Sequence, residues 1–453
     1  IPKRVYLCDS SENFLSNATQ PQIRFAFFNG NSHTNTTTYN FYAITAAGDL
    51  YASGYGPYGN LPISGGNQTT KYKMLPCDMS LFNNEKIAFV TGSPQNTYYL
   101  TVEGKVYSTG VNSYGEVCNG TTGEIATPFE ITGDSNNSIH NKKIVHIQHV
   151  YDSSFWCTYF LDSDGVMHGS GRYEHFGLRT GVHQPGSSTG YLRNTAQFTN
   201  MSNITGTDSQ KVVAFWCTEE RYVSIFMLTD GGTTSKPKVY ATGSNEFGKL
   251  GVGIANDLDS GSLTDATGHG YCEEIKFEYP EIDEAGEMET TSITGTQYSD
   301  TIQNEYPPGR IIDFSISGGH GQGVAHGHIL TDDKGMAWFA GHGEGLMSFY
   351  NNEDEATGNA GSSGYTSGSY QFFTCVPELP CAKPTRVFNY SPYESANSYY
   401  CCSDGKDTWV RAFTTNNKIS GTMTYYYPAK CNGNIAWKKV MTYDNAEEWN
   451  NEA

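Results

Sequence analysis

Four histidines, His320, His326, His328 and His342, form the densest group of metal-ligating side chains in the sequence. In an extended segment His326 and His328 share one strand face, because side chains two apart point the same way. Two imidazoles so placed could hold a divalent cation in an acidic chain. Satisfied or exposed histidines are far commoner than ligands, so the expectation is no bound metal. Gly186-Ser187-Ser188-Thr189-Gly190 spells a nucleophile elbow. That motif needs a strand-to-helix turn, whereas here it lies in a stretch of Pro, Gly and Ser, so Ser188 is expected to be inert. Glycine motifs that cradle phosphates or dinucleotides in strand–helix context are absent. The eleven cysteines are scattered, with no CxxC pair and no Cys/His zinc spacing. Cys375 and Cys381 bracket a loop that a disulfide could close; the alternative is buried thiols acting as small hydrophobes. The chain therefore reads as neither an enzyme nor a cofactor carrier.

Residue types suited to recognition are more prominent. Two long connections, 252–309 and 343–385, exceed what a compact domain needs to join its elements, and such loops are commonly functional. The first sets Tyr271, Phe277 and Tyr279 among Glu273, Glu274, Glu278, Glu281, Asp283 and Glu284. The second mixes Gly, Ser and Asn with Phe349, Tyr350, Tyr365 and Tyr370. Tyr with Ser, Gly and Asn is the composition of adaptable recognition surfaces. Tyr271, Phe277, Tyr279, Phe349, Tyr350, Tyr365 and Tyr370 are accordingly the candidate binding residues, against the alternative of solvated decoration.

The elements that must position these residues are strands. Gly (50), Tyr (32) and Phe (23) are abundant, and charged residues make up 17% of the chain. Short aromatic and β-branched runs broken by Gly and Asn recur, without long stretches of 3.6-residue periodicity. A net charge of −19 with no dense basic run argues against nucleic acid. No apolar stretch approaches the roughly 18 residues that a membrane helix needs, so membrane insertion is not expected. The chain opens on Ile1 with no initiator Met, which reads as a processed form or the ordered part of something longer.

Internal repeats decide the architecture. Segments 41–54 (FYAITAAGDLYASG), 98–110 (YYLTVEGKVYSTG), 158–171, 225–243, 327–341 and 409–421 (WVRAFTTNNKISG) share an apolar strand, a turn, a second short strand and a Gly. Short apolar strands open at 22–28, 86–90 (KIAFV), 143–147 (KIVHI), 211–216, 310–316, 386–390 and 438–443, most of them led by Lys or Arg. Leu100–Gly115 and Leu228–Gly251 carry the fullest pattern, apolar-Leu-Thr-x-x-Gly-x-Val-Tyr-x-x-Gly followed by an Asn/Gly tail. This pattern resembles the regulator-of-chromosome-condensation repeat family. The resemblance covers nearly the whole chain and implies an all-β, seven-bladed β-propeller in a single domain, 1–453, with the two long connections as insertions.

Seven opening strands face only six complete cores. The orphan fragment RVYLCD, residues 4–9, matches the second-strand position of the second repeat. Residues 4–9 and 438–443 are therefore expected to close the last blade from both chain ends, which would remove exposed sheet edges.

Acidic, Asn/Gly/Thr/Tyr-rich composition suggests a non-enzymatic binding or structural propeller on an extracellular or virion surface. Its expected partners are other protein subunits of an assembly, a cell-surface receptor or a glycan. Two alternatives remain open: a regulatory propeller acting on a small GTPase, as the resemblance implies, and a secreted inhibitor or glycan-binding propeller.

Overall fold

The computed structural model describes residues 6–16, 18–30, 39–56, 58–63, 73–93, 95–113, 115–152, 155–172, 191–198, 210–217, 223–232, 237–243, 245, 248–253, 272–278, 310–316, 327–342, 369–376, 386–390, 397–404, 407–414 and 438–442. The chain divides into two compact units. One comprises Ile1–Arg221 with Met227–Lys236, the other Tyr222–Phe226 with Pro237–Glu452.

Among the described residues the strands form six sheets. The first holds β1 (Ile23–Gly30), β2 (Tyr39–Thr45), β3 (Leu50–Tyr55) and β4 (Leu75–Pro76). The second holds β5 (Ile87–Gly92), β6 (Asn96–Thr101), β7 (Val106–Gly110) and β8 (Ile125–Glu130). The third holds β9 (Ile144–Asp152), β10 (Phe155–Asp162), β11 (Met167–Arg172) and β12 (Tyr191–Gln197). The fourth comprises β13 (Val212–Cys217), β14 (Ser224–Thr229), β15 (Val239–Gly243) and β16 (Glu273–Glu274), and the boundary between the units falls within β14. The fifth has the order β17-β21-β20-β19-β18, from β17 (Phe277–Glu278), β18 (Ile311–Ile316), β19 (Gly327–Asp332), β20 (Ala337–His342) and β21 (Ser369–Cys375). The sixth holds β22 (Arg386–Tyr390), β23 (Asn397–Ser403), β24 (Asp407–Thr414) and β25 (Lys438–Thr442). Among the described residues the registered strand pairs run antiparallel, except β17 with β21, which are parallel.

The repeated Thr/Asp-x-x-Gly spells the hairpin that joins the second and third strands. Thr45, Thr101, Asp162 and Asp332 each accept, on a side-chain oxygen, the backbone N–H four residues on, at 2.9–3.1 Å. The Gly at the fourth position takes a positive φ (90° at Gly104), which a residue with a Cβ adopts only under strain. Its carbonyl then accepts the N–H that opens the next sheet: Ile87 from Gly48, Ile144 from Gly104 and Val212 from Gly165, at 2.9, 2.9 and 3.2 Å. One motif thus sets both the turn and the docking of successive sheets.

Packing on both faces explains why the middle strands read as unbroken apolar or aromatic runs. All six residues of β6 and all five of β7 are buried. Tyr42, Leu50, Phe82, Ile87, Tyr99 and Tyr107 fill the space between the first two sheets. Tyr98, Leu100, Ile144, Ile147 and Phe160 fill the next. The outer strand β8 is mostly half-buried or exposed, because no further layer covers it.

The expected pairing of the chain ends is corrected by two registers. Lys438–Thr442 is the fourth strand of the sixth sheet, with Asp407 opposite Thr442 and Val410 opposite Lys438. At the other end Leu7 bridges Met74 in parallel, beside β4 of the first sheet, and Cys8 bridges Phe14. Leu7 and Met74 are buried with Ala43. The Gln20 side chain clamps this segment, accepting from Leu7 N–H at 3.1 Å and donating to the carbonyls of Leu7 and Leu15. The N-terminal segment therefore extends the edge of the first sheet and does not share a sheet with 438–442.

The two long connections supply strands to the fourth and fifth sheets. From 252–309, β16 pairs with β15 and β17 pairs with β21, and β21 itself comes from 343–385. Among the described residues no helix is long and apolar enough to cross a membrane.

Candidate functional site

In the first unit the opening strands β1, β5, β9 and β13 line a cavity of about 790 Å³. It is bounded by Phe28, Phe89, His146, His149, Phe215 and Trp216, with Thr91, Ser93, Gln148 and Tyr151 among the polar groups. The His146 ring sits 4.8 Å from Phe215 and 6.0 Å from Phe89, centroid to centroid. Burial among these rings lowers its pKa. His149 is more deeply enclosed, 6% exposed, with Nδ1 2.8 Å from Thr158 Oγ1 and its ring 5.0 Å from Tyr98. Its Nε2 has no hydrogen-bond partner, and burial pushes its pKa down to about 3. Both imidazoles are neutral at pH 7. The Gln148 amide is committed to the Cys217 backbone, donating to its carbonyl at 3.0 Å and accepting its N–H at 3.1 Å.

Four opening strands, β1, β5, β9 and β18, carry a bulge at their start. Ladder partners skip Arg24, Ala88, Val145 and Ile312. A bulge re-aims one side chain out of the ladder; Ala88 stays half-buried, whereas Val145 is 47% and Ile312 43% exposed, and Val213, at the same place in its strand, is 53% exposed. Hairpin turns crowd the same end of the strands in the first unit. Val102, 50% exposed, donates its N–H to Lys86 O, and Ser163 donates to Lys143 O, both at 2.8 Å. Exposed Lys86, Lys143 and Lys211 stand immediately before β5, β9 and β13. Lys86 pairs with Asp49 at 2.6 Å, and Arg24 donates to the carbonyls of Ile87 and Ala88. This turn end thus presents exposed valines with a charged rim in which Lys86, Lys143 and Lys211 stand among Asp49, Asp164 and Asp230.

One buried cluster has the order of a charge relay. Ser138 Oγ lies 2.9 Å from His168 Nδ1, and His168 Nε2 lies 3.2 Å from Asp162 Oδ2. Burial raises the pKa of Asp162, but the hydrogen bonds from His168 and Val166 N–H and the charges of His168 and Lys142 outweigh it, leaving the carboxyl below its ordinary value. The fifth sheet shows what the arrangement does. Asp332 caps the same turn there, accepting from Lys334 and Met336 N–H, and Trp338 Nε1 takes the place of His168, donating to Asp332 Oδ2 at 3.2 Å. A position that indole fills in a sister repeat is a tether for the turn and not a catalytic base.

Of the recognition residues expected from sequence, Phe277 lies in β17, half-buried, its ring 5.0 Å from Trp338 and 6.1 Å from Phe373. Tyr370 lies in β21 opposite Gly341. Tyr271, Tyr279, Phe349, Tyr350 and Tyr365 lie outside the described residues, as do Ser188, His320 and His326. His328 is fully buried, 5.2 Å from Phe226. Among the described residues no group of three or more His, Cys, Asp or Glu could hold a metal ion, and Cys8, Cys77, Cys118, Cys157, Cys217, Cys272, Cys375 and Cys402 are buried. His146, His149 and the exposed valines escaped sequence reading. The available signal was the doubled apolar residue after Lys in KIVHI and KVVAF, where one position fills the core and the next cannot.

No family model matches the chain. The ultraviolet-B receptor UVR8 of Arabidopsis thaliana is 25% identical over 224 residues, which is 49% of this chain and 43% of the receptor. The chain therefore matches under half the length of that relative. A solved structure of Prp20p from Saccharomyces cerevisiae, a protein with binding properties toward Gsp1p and histones, aligns over 91% of this chain and 86% of that one. The TM-score is 0.50 at 11% identity, a likeness of fold. A structure of human WBSCR16 covers 77% of this chain and 67% of that chain at 14% identity, with a TM-score of 0.46. With its all-β sheets and Thr/Asp-x-x-Gly hairpins returning in order, the chain is similar, at a distance, to proteins of the regulator-of-chromosome-condensation repeat family.

Proposed function

We propose that this chain is a protein-binding regulatory propeller and that the turn end of its opening strands is the binding face. The observation that carries this reading is the return of an exposed apolar residue at the same place in successive strands, Val145 and Val213, beside exposed Lys143 and Lys211. An apolar centre with a charged rim is the anatomy of a protein interface. Side chains that contribute nothing to their own core are free to serve a partner. The partner class that fits best is a small GTPase, since the repeat family includes regulators of such proteins and Prp20p is described with Gsp1p. A GTPase surface that meets this face would offer carboxylates to the lysines and an apolar contact to the valines. An extracellular or virion-surface setting is a separate proposal that rests on composition alone.

The test is release of a fluorescent guanine nucleotide from a panel of purified small GTPases mixed with the full chain. We expect at least one member to release nucleotide faster than its intrinsic rate. The double variant Lys143→Glu, Lys211→Glu should cut that stimulation by about tenfold or more, since reversing rim charges acts on encounter and pairing. Both lysines are exposed, so the variant should keep the wild-type unfolding midpoint. Stimulation equal in the variant and the wild type would remove the face from the account, and no stimulation or binding across the panel would remove the GTPase.

A further inference from the structure

The geometry points to the cavity between β1, β5, β9 and β13 as a binding site for a neutral, aromatic small molecule. Its volume, about 790 Å³, lies within the range of roughly 300–1,000 Å³ found for small-molecule sites. Aromatic rings come from all four strands: Phe27 and Phe28, Phe89, Tyr151, Phe215 and Trp216. Flat rings reaching in from several sides favour a flat guest, which can stack on one and meet others edge-on.

Charge decides the rest of the chemistry. The chain carries a net charge of −19, yet among the described residues no Asp, Glu, Lys or Arg lines this cavity. The ionisable groups that do line it include His146 and His149, both held neutral by burial. A cationic ligand would find no carboxylate here and an anionic ligand no ammonium, so either would lose its hydration without return. A neutral ring system loses little. Polar anchoring is sparse, because the Gln148 amide is already spent on Cys217. Ser93 Oγ likewise already accepts the Gln95 and Asn96 N–H groups, so Thr91 and His146 are the side chains best placed to orient one or two polar atoms of the guest. Val145 and Val213 line this cavity as well as the proposed protein-binding face, whereas Lys143 and Lys211 do not line it, so dye binding and GTPase binding are read separately.

Two dyes with one ring skeleton make the test. The neutral N-phenyl-1-naphthylamine and its sulfonate, 8-anilinonaphthalene-1-sulfonate, are titrated into the full-length chain and followed by their emission. The expected result is saturable one-site binding of the neutral dye and binding of the sulfonate weaker by about tenfold or more, the cost of burying an unpaired charge. Ala214→Glu, which sets a carboxylate on the cavity wall, should weaken the neutral dye by a similar factor. Phe28→Ala should weaken it as well, and because that ring is 64% exposed its removal leaves the fold intact. Val102→Asp, outside the cavity, should change nothing. Non-saturable uptake, equal affinity for the two dyes, or full binding by Phe28→Ala would overturn the assignment.

Discussion

Lowering the pH from 7 toward 3 should destabilise the first unit steeply, and His149→Gln should remove most of that loss. Burial against Tyr98 and Phe160-side packing leaves the His149 imidazole no room for a hydrated proton, and its pKa falls from 6.5 to about 3. The folded value lies below the unfolded one, so His149 lends its full stability above pH 6.5. That stability is lost as pH falls toward the folded value, because the unfolded chain takes up a proton that the native state refuses. Each pH unit in this window costs about 1.4 kcal/mol, or roughly 5 kcal/mol across it. His146 shifts in the same direction and should leave a shallower slope in the variant. Asp162 also has a lowered pKa, but its contribution is present above 3.8 and fades only as pH falls through its folded value. The two effects therefore separate by window. Urea midpoints between pH 7 and 4 check the prediction, and a wild-type midpoint flat across that range would refute it.

In the second unit Trp338→Ala should be the most damaging single truncation. The side chain is fully buried, packs edge-on against Phe277 at 5.0 Å, and donates from Nε1 to Asp332 Oδ2 at 3.2 Å. Emptying a buried aromatic site costs about 3–5 kcal/mol. Trp338→Phe keeps much of the volume but takes the indole donor from a buried carboxylate, for about 1–3 kcal/mol. The ordering Ala worse than Phe, read from urea unfolding, separates packing from hydrogen bonding. Loss below about 1 kcal/mol for the Ala variant would mean that the hairpin does not depend on this plug.

The repeat was legible in the sequence because its residues do local work. Thr45, Thr101, Asp162 and Asp332 close their own turns, and a four-residue device leaves the same spelling wherever it recurs. The sixth repeat lost that spelling. Its hairpin joins Asn397–Ser403 to Asp407–Thr414, and the turn is held by Asp404, whose carboxylate accepts Asp407 N–H at 2.7 Å. Without Leu-Thr-x-x-Gly the strand at 397–403 goes unnoticed and β24 is taken for a second strand. The strand at 438–442 then looks like the opening of a seventh sheet. Among the described residues the sheets number six, and residues 438–442 pair with β24 instead of with residues 4–9.

The binding face and the cavity were invisible for a different cause. Exposure of Val145 accompanies a bulge, and a bulge is a mismatch between two strands that neither strand records alone. The neutrality of His149 depends on Tyr98, fifty-one positions earlier in the sequence and on another sheet. The aromatic residues of the two long connections drew attention because loops advertise themselves by composition. Phe277 shows the risk in that signal, since its ring packs on Trp338 within its own sheet.

Hydrogen–deuterium exchange on the full chain, with and without the GTPase that responds in the release assay, tests the binding face most directly. Protection by the partner is expected at residues 102–104, 143–145 and 211–213, where the hairpin turns and the bulged strand starts meet. The same segments should lose that protection in the Lys143→Glu, Lys211→Glu variant. Protection that spares all three segments and gathers instead on the outer strands at 125–130 and 191–197 would contradict the account.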